Sequence, residues 1–205
     1  MLITMLDWLI NALNHIDFSL FYIINIQLNN YYLTLILPLI SEIGVKEYWI
    51  LGCGLIYFIG GEKAKKVAIL LFLAVMLSFF ANEVLKIIFE RPRPYVVHYG
   101  VNLLGGIGST VFSLTNYSFP SGHSAVIFAV CTIFGKKYGH IPLFMALACL
   151  VGFSRIYLGV HYPLDVIFGA LFGISVSLLI LRYENQIFNG FEELINKIKS
   201  FNSKT

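Results

Sequence analysis

VAILLFLAVMLSFFANEVLKIIF, residues 67–89, carries no charged side chain before Glu83. A helix that crosses the hydrocarbon core of a bilayer needs about 20 predominantly apolar residues, and this stretch supplies them. The whole chain extends that reading. Of its 205 residues 58% are hydrophobic and only 12% charged, with a net charge of +3 and a mean hydropathy of +0.80. Soluble domains carry roughly 25% charged residues, so this chain has too few to clothe a soluble core. Its lysines and arginines form no stripe that would track a phosphate backbone, which excludes nucleic acid as a partner.

Working outward from 67–89, further spans read at 46–60, 121–135, 141–158 and 162–182, with a sixth at 18–40. Asn25, Gln27, Asn29 and Asn30 interrupt the sixth, so it reads either as a full span or as a broken or re-entrant helix. Before it, Leu2, Met5, Leu6, Leu9 and Leu13 alternate with Asp7, Asn11 and Asn14 at the spacing of an amphipathic helix lying in the interface. The expected fold is all-α: a polytopic membrane helix bundle of about six transmembrane helices behind an N-terminal interfacial helix. No internal repeat or low-complexity linker divides residues 1–205, which read as a single integral-membrane domain. The N-terminus lacks the basic region and cleavage site of a secretory signal. Phe191, Leu194, Ile195 and Ile198 place one apolar face on a C-terminal amphipathic helix.

Basic residues set the orientation. Lys63, Lys65, Lys66, Lys136, Lys137, Arg182, Lys197, Lys199 and Lys204 fall on one side if the helices alternate, and the positive-inside rule makes that side cytoplasmic. Both termini then face the cytoplasm, and the loop 91–120 faces outward. Cys53, Cys131 and Cys149 sit in separate apolar runs without metal-ligand spacing and read as small buried hydrophobes.

Polar residues that do not belong in lipid cluster in three short blocks: KIIFERPRP at 86–94, PSGH at 120–123 and SRIYLGVHYPLD at 154–165. Alternating helices bring all three to the outward face. Lys86, Arg93 and Arg155 are costly cations near lipid, beyond what Glu83 and Glu90 can neutralise, and a phosphate suits arginine's planar fork and lysine's point charge. Ser121 is placed to cap the following helix, whose first N–H groups then face an anion, while Gly122 admits a ligand close to the backbone. His123 follows in the first turn. In the third block His161 and Asp165 stand four apart around Pro163, so the carboxylate can reach one imidazole nitrogen and leave the other as a nucleophile toward phosphorus. Arg91 reads as touching solvent or lipid headgroups.

Together, Lys86-x6-Arg93-Pro94, Pro120-Ser121-Gly122-His123 and Ser154-Arg155-x5-His161-x3-Asp165 resemble the three-part signature of the type 2 phosphatidic acid phosphatase and vanadium haloperoxidase superfamily, in its small integral-membrane branch. The resemblance implies that His161 attacks phosphorus, Asp165 orients it and His123 protonates the leaving oxygen, while Lys86, Arg93, Arg155, Ser121 and Gly122 hold the phosphate. It implies a metal-independent phosphatase without cofactors, acting on a lipid phosphate in the membrane. Small members of this layout are similar to undecaprenyl diphosphate phosphatases, so a polyprenyl diphosphate is the expected substrate. Phosphatidic acid, phosphatidylglycerophosphate and lipid A are the alternatives. A haloperoxidase is disfavoured by the membrane spans. A non-catalytic anion or lipid-phosphate transporter needs the cations but has no use for two histidines and an aspartate.

Overall fold

A computed structural model describes residues 2–104 and 116–202, and most of the described residues lie in helices. They are α1 (Leu2–Tyr22), a π-helical extension (Ile23–Gln27), α2 (Tyr31–Glu42), α3 (Lys46–Ile59), α4 (Glu62–Phe89), α5 (Pro94–Val97), α6 (Gly122–Tyr138), α7 (Ile141–Tyr157), α8 (Pro163–Arg182) and α9 (Glu184–Asn202). Thr4–Gln27, Glu62–Phe89 and Pro163–Arg182 are long and apolar enough to cross a membrane, and Tyr31–Glu42 and Ile141–Tyr157 are shorter apolar helices.

The core is arranged around α6. From Ser124 to Ile133 every α6 side chain is buried, because α4, α7 and α8 surround it. Val126, Ala129, Val130 and Ile133 pack against Val67, Leu70, Leu71, Ala74 and Val75 of α4 and Val176 and Ile180 of α8. Ile127, Phe128 and Cys131 pack against Ala148 and Val151 of α7. Outside this core the polarity of a soluble protein is reversed: Leu51, Leu55 and Phe58 of α3, Leu77, Phe80 and Ile87 of α4, and Ile167, Leu171 and Leu179 of α8 are exposed. An apolar belt of this kind is stable only against lipid. Cys53 and Cys131 are buried as expected, whereas Cys149 faces outward on α7, where a thiol meets lipid as readily as a small hydrophobe.

Between lipid-bathed helices, close backbone packing replaces the hydrophobic drive. On α8 Gly169, Gly173 and Ser177 stand four apart and face Ser121, Ala125 and Ala129 of α6. A Cβ on Gly169 would lie 2.5 Å from the Ser121 carbonyl oxygen, and one on Gly173 would overlap that of Ala125. Ser177 Oγ donates to the Ala129 carbonyl at 2.8 Å. The small residues of the last long helix therefore serve contact within the bundle and hold the α6 N-terminus beside the start of α8.

The N-terminal region differs from the expected division into an interfacial helix and a span at 18–40. Residues 2–27 are continuous helix, and the break falls at 28–30, inside the polar interruption. Its cause is tertiary. Asn25 is buried, donates Nδ2 to the carbonyls of Tyr157 (2.7 Å) and Asn102 (2.9 Å), and accepts the Asn102 N–H on Oδ1 at 2.9 Å. Asn30 then restarts the helix, its Oδ1 accepting the Leu33 N–H at 3.1 Å. α2 stays at one end of the bundle, with Thr34 Oγ1 2.9 Å from the Tyr157 hydroxyl near the end of α7.

The basic turns gather at the opposite end. Lys63 lies over the Tyr138 ring, Lys66 over Phe188, and Lys137 pairs with Glu184. In α9 Phe191, Leu194 and Ile198 are exposed along the helix.

Candidate active site

Four helix ends, those of α4, α6, α7 and α8, and the segments beside them bring the three blocks of the sequence into one place. α4 stops at Glu90, which is held in the left-handed region (φ 46°), and the chain turns through Pro92. The Ser118 N–H donates to the Arg91 carbonyl at 2.7 Å, tying the first block to the segment that leads into the second. The Ser121 N–H donates to the Asp165 carbonyl at 2.9 Å, tying the second to the third. Just past the end of α7 comes Gly159, whose φ of +79° and close approach to the Asn102 carbonyl admit only glycine without strain.

Lys86 occupies the last turn of α4, buried, with Nζ 2.6 Å from Glu83 Oε1 three residues earlier. Arg93 is buried in the extended segment before α5, and Arg155 in the last turn of α7, where its Nη1 donates to Ser41 Oγ at 2.6 Å. Neither Arg93 Nε nor Arg155 Nε has a hydrogen-bond partner among the described residues, although both atoms are buried. Buried guanidinium nitrogens are costly to leave unpaired.

Ser121 caps α6 as expected: its Oγ accepts from the Ser124 N–H (3.4 Å) and the Ser124 hydroxyl (3.0 Å), so its own proton remains to be donated. Helix geometry leaves the Gly122 and His123 N–H groups without intrahelical acceptors. His123 Nε2 is buried and unpartnered among the described residues. Gly44, in the turn between α2 and α3, makes room for this ring: a Cβ there would stand 3.2 Å from His123 Cδ2. The ionisable neighbours of His123 are Arg155, His161, Lys86 and Arg93.

His161 is buried in the loop between α7 and α8, with Nδ1 3.5 Å from Asp165 Oδ2. Burial, followed by the charges of Arg93, Arg155 and Lys86, holds its pKa well below the ordinary histidine value. The imidazole is therefore neutral at physiological pH. Nδ1 has no hydrogen-bond partner among the described residues and stands toward the carboxylate; a proton held there would leave Nε2 its lone pair for an electrophile. Asp165, fully buried in the first turn of α8, also accepts the Tyr162 N–H on Oδ2 at 2.8 Å.

All eight residues singled out in the sequence thus lie at one end of the bundle. Arg91 corrects the sequence reading. Rather than facing solvent or headgroups, it donates Nη1 to Asp165 Oδ1 and Nη2 to Asp17 Oδ2, both at 2.6 Å, with its guanidinium 4.0 Å from the Tyr162 ring centroid. Asp17, Ser41 and Gly44 were not anticipated. Asp17 had a signal, being the sole Asp, Glu, Lys or Arg between Asp7 and Glu42. Ser41 and Gly44 had none. Among the described residues no cluster of three or more His, Cys, Asp or Glu has the arrangement of a metal site.

A family model described as the PAP2 superfamily matches residues 67–188, which include all three blocks. The chain is 30% identical over 148 residues to an undecaprenyl-diphosphatase of Sulfolobus acidocaldarius, covering 71% of this chain and 68% of that protein. It is 24% identical over 172 residues to undecaprenyl-diphosphatase BcrC of Bacillus subtilis, covering 83% and 84% of the two chains. Among solved structures it is similar to LpxE of Aquifex aeolicus, with a TM-score of 0.68 and 33% identity over 82% of this chain and 96% of that one.

Proposed function

The chain belongs to the PAP2 superfamily and is a membrane phosphatase, and from that premise we propose that it removes the terminal phosphate of a polyprenyl diphosphate through a phosphohistidine on His161. The observation that carries this reading is that Arg93 Nε, Arg155 Nε and His123 Nε2 are buried without hydrogen-bond partners among the described residues, as is His161 Nδ1 beside Asp165. Polar atoms left without partners in a buried pocket call for an anion that supplies several acceptors at once.

The chemistry divides as follows. His161 Nε2 attacks the terminal phosphorus as its bond to the bridging oxygen breaks, and His123 passes a proton to that oxygen as the lipid monophosphate leaves. Asp165 holds the Nδ1–H and offsets the charge that develops on the imidazole. Lys86, Arg93, Arg155, the Ser121 hydroxyl and the Gly122 N–H stabilise the equatorial oxygens, the largest expected contribution to rate. Water then attacks the phosphohistidine and loses a proton to His123, and inorganic phosphate departs.

In this reading residues 1–205 form one integral-membrane domain with six crossings: the first within Thr4–Gln27, then α3, α4, α6, α7 and α8. Residues 2–13 begin the first crossing rather than forming a separate interfacial helix. The pocket opens on the extracytoplasmic side, and both termini lie with the basic turns in the cytoplasm. A phosphate can enter there while the lipid tail stays in the bilayer. The undecaprenyl-diphosphatase relatives support the polyprenyl substrate; phosphatidic acid, phosphatidylglycerophosphate and lipid A remain the competitors in the test.

That test is phosphate release in EDTA by detergent-purified protein from each of these lipids, beside His161→Ala. Release that is fastest from undecaprenyl diphosphate and lost in the variant is the expected result. Faster release from another lipid overturns the substrate, and release that survives in His161→Ala overturns the mechanism.

A further inference from the structure

The three blocks do not account for Asp17. It lies in α1, far from them in sequence, and is buried to 1% exposure. Both its oxygens are used: Oδ2 accepts from Arg91 Nη2 at 2.6 Å, and Oδ1 accepts the Leu164 N–H at 2.8 Å. Arg91 Nη1 in turn donates to Asp165 Oδ1 at 2.6 Å. One guanidinium thus joins two buried carboxylates, while Asp17 also grips the first turn of the helix that carries Asp165. A planar fork against the Tyr162 ring suits this role, since it fixes two acceptors in one plane.

The consequence falls on Asp165. Its Oδ1 is held by Arg91, and Oδ2 takes the Tyr162 N–H and faces His161 Nδ1. The carboxylate is fixed about its Cβ–Cγ bond before any substrate binds, 3.5 Å from a His161 Nδ1 that has no hydrogen-bond partner among the described residues, so only the imidazole has to close on it. Resting on the phosphohistidine reading, we propose that Asp17 and Arg91 are positioning residues that hold Asp165 ionised and aligned on His161, so that the N-terminal helix completes the active site.

Charge gives the proposal a signature. The groups facing Asp165 are Arg91 and Arg93 from the segment after α4, Asp17 from α1, and His161 and Tyr162 from the α7–α8 loop. Without the Arg91 charge two buried carboxylates confront each other and one takes up a proton. Asp165 then stabilises the imidazolium less, and the acidic limb of the kcat profile moves to higher pH. Removing the Asp17 charge as well relieves the repulsion and moves the limb back. A merely structural pair would lower the active fraction without moving the limb, and the double variant would be no better than the worse single one.

The experiment measures kcat, KM and the pH profile of phosphate release by the full chain in detergent, for Asp17→Asn, Arg91→Gln, Arg91→Lys and Asp17→Asn/Arg91→Gln, with wild type and His161→Ala alongside. Asp17→Asn keeps an acceptor for Leu164 and is expected to lower kcat about 10-fold, and Arg91→Gln up to about 100-fold, with KM unchanged. Arg91→Lys falls between, because an ammonium keeps the charge without the fork. The double variant recovers activity relative to Arg91→Gln. Wild-type kcat and pH profile in both single variants overturn the proposal, as do losses without a limb shift or recovery. If the wild type releases no phosphate, or His161→Ala matches it, the functional reading fails and takes the inference with it. If His161→Ala is inactive while Asp17→Asn and Arg91→Gln keep the wild-type kcat and pH profile, the inference fails by itself.

Discussion

Arg91 and Arg93 stand two residues apart in the same turn and do opposite things. Arg91 spends both terminal nitrogens on Asp17 and Asp165 and its face on Tyr162. Arg93 is buried more deeply, yet its Nε has no partner among the described residues and Nη1 makes only a long contact, 3.5 Å, to the Val160 carbonyl. The first belongs to a brace of matched charges, and the second to a pocket of mismatched ones that also holds His123 and Arg155. A basic residue near lipid therefore carries no fixed meaning. What separates support from binding is whether the protein itself supplies the acceptors.

Removing a group from the unpartnered cluster has the largest expected effect. His123→Ala is expected to slow release from undecaprenyl diphosphate by ~10² to 10⁴, and far less from p-nitrophenyl phosphate, whose leaving group needs no proton. Equal losses on both substrates remove His123 from the role of acid. Arg155→Gln should cost ~10² to 10³ in kcat/KM and weaken inhibition by vanadate in parallel, because both depend on charge at the equatorial oxygens. Undiminished vanadate inhibition would place Arg155 with Arg91 in the brace.

Smaller effects test what holds the two halves together. Gly173→Ala forces α8 away from the Ala125 carbonyl and should reduce stability by about 1–3 kcal/mol in detergent denaturation. An unchanged midpoint would mean that the α6–α8 contact is slack. The least effect is on pH. Burial, then the charges of Arg93, Arg155 and Lys86, keep the folded His161 pKa well below the unfolded value of 6.5. Above that value neither state binds the proton, and this contribution to stability is whole. As pH falls below it the unfolded chain gains a proton that the folded protein refuses, and stability drops by at most about 1.4 kcal/mol per pH unit. His161→Asn should flatten that decline, and a parallel decline would show that His161 is charged when folded.

The pocket was legible in the sequence and the brace was not, for a physical reason. Each pocket residue sits at a fixed offset within one helix end or turn, such as Ser121 ahead of α6 or His161 four before Asp165, and alternating spans carry those ends to one side. The brace joins Asp17 to Arg91 and Arg91 to Asp165, each pair 74 residues apart, and no local periodicity encodes such a pairing. The same holds for the N-terminal boundary. The polar run from Asn25 to Asn30 announced a break, but its position depends on Asn25 reaching Tyr157 and Asn102, partners visible only after folding. Arg91 was misread because its acidic partners are remote in sequence, while adjacent Glu90 sits in a left-handed cap.

The phosphohistidine itself is tested by quenching the reaction of His123→Ala with terminally ³²P-labelled undecaprenyl diphosphate in alkali and locating the label by peptide mapping. An acid-labile, alkali-stable phosphate is expected on the peptide containing His161, absent when His161→Ala is added. Label on another residue, or turnover by the wild type with no labelled protein at any quench time, would contradict it.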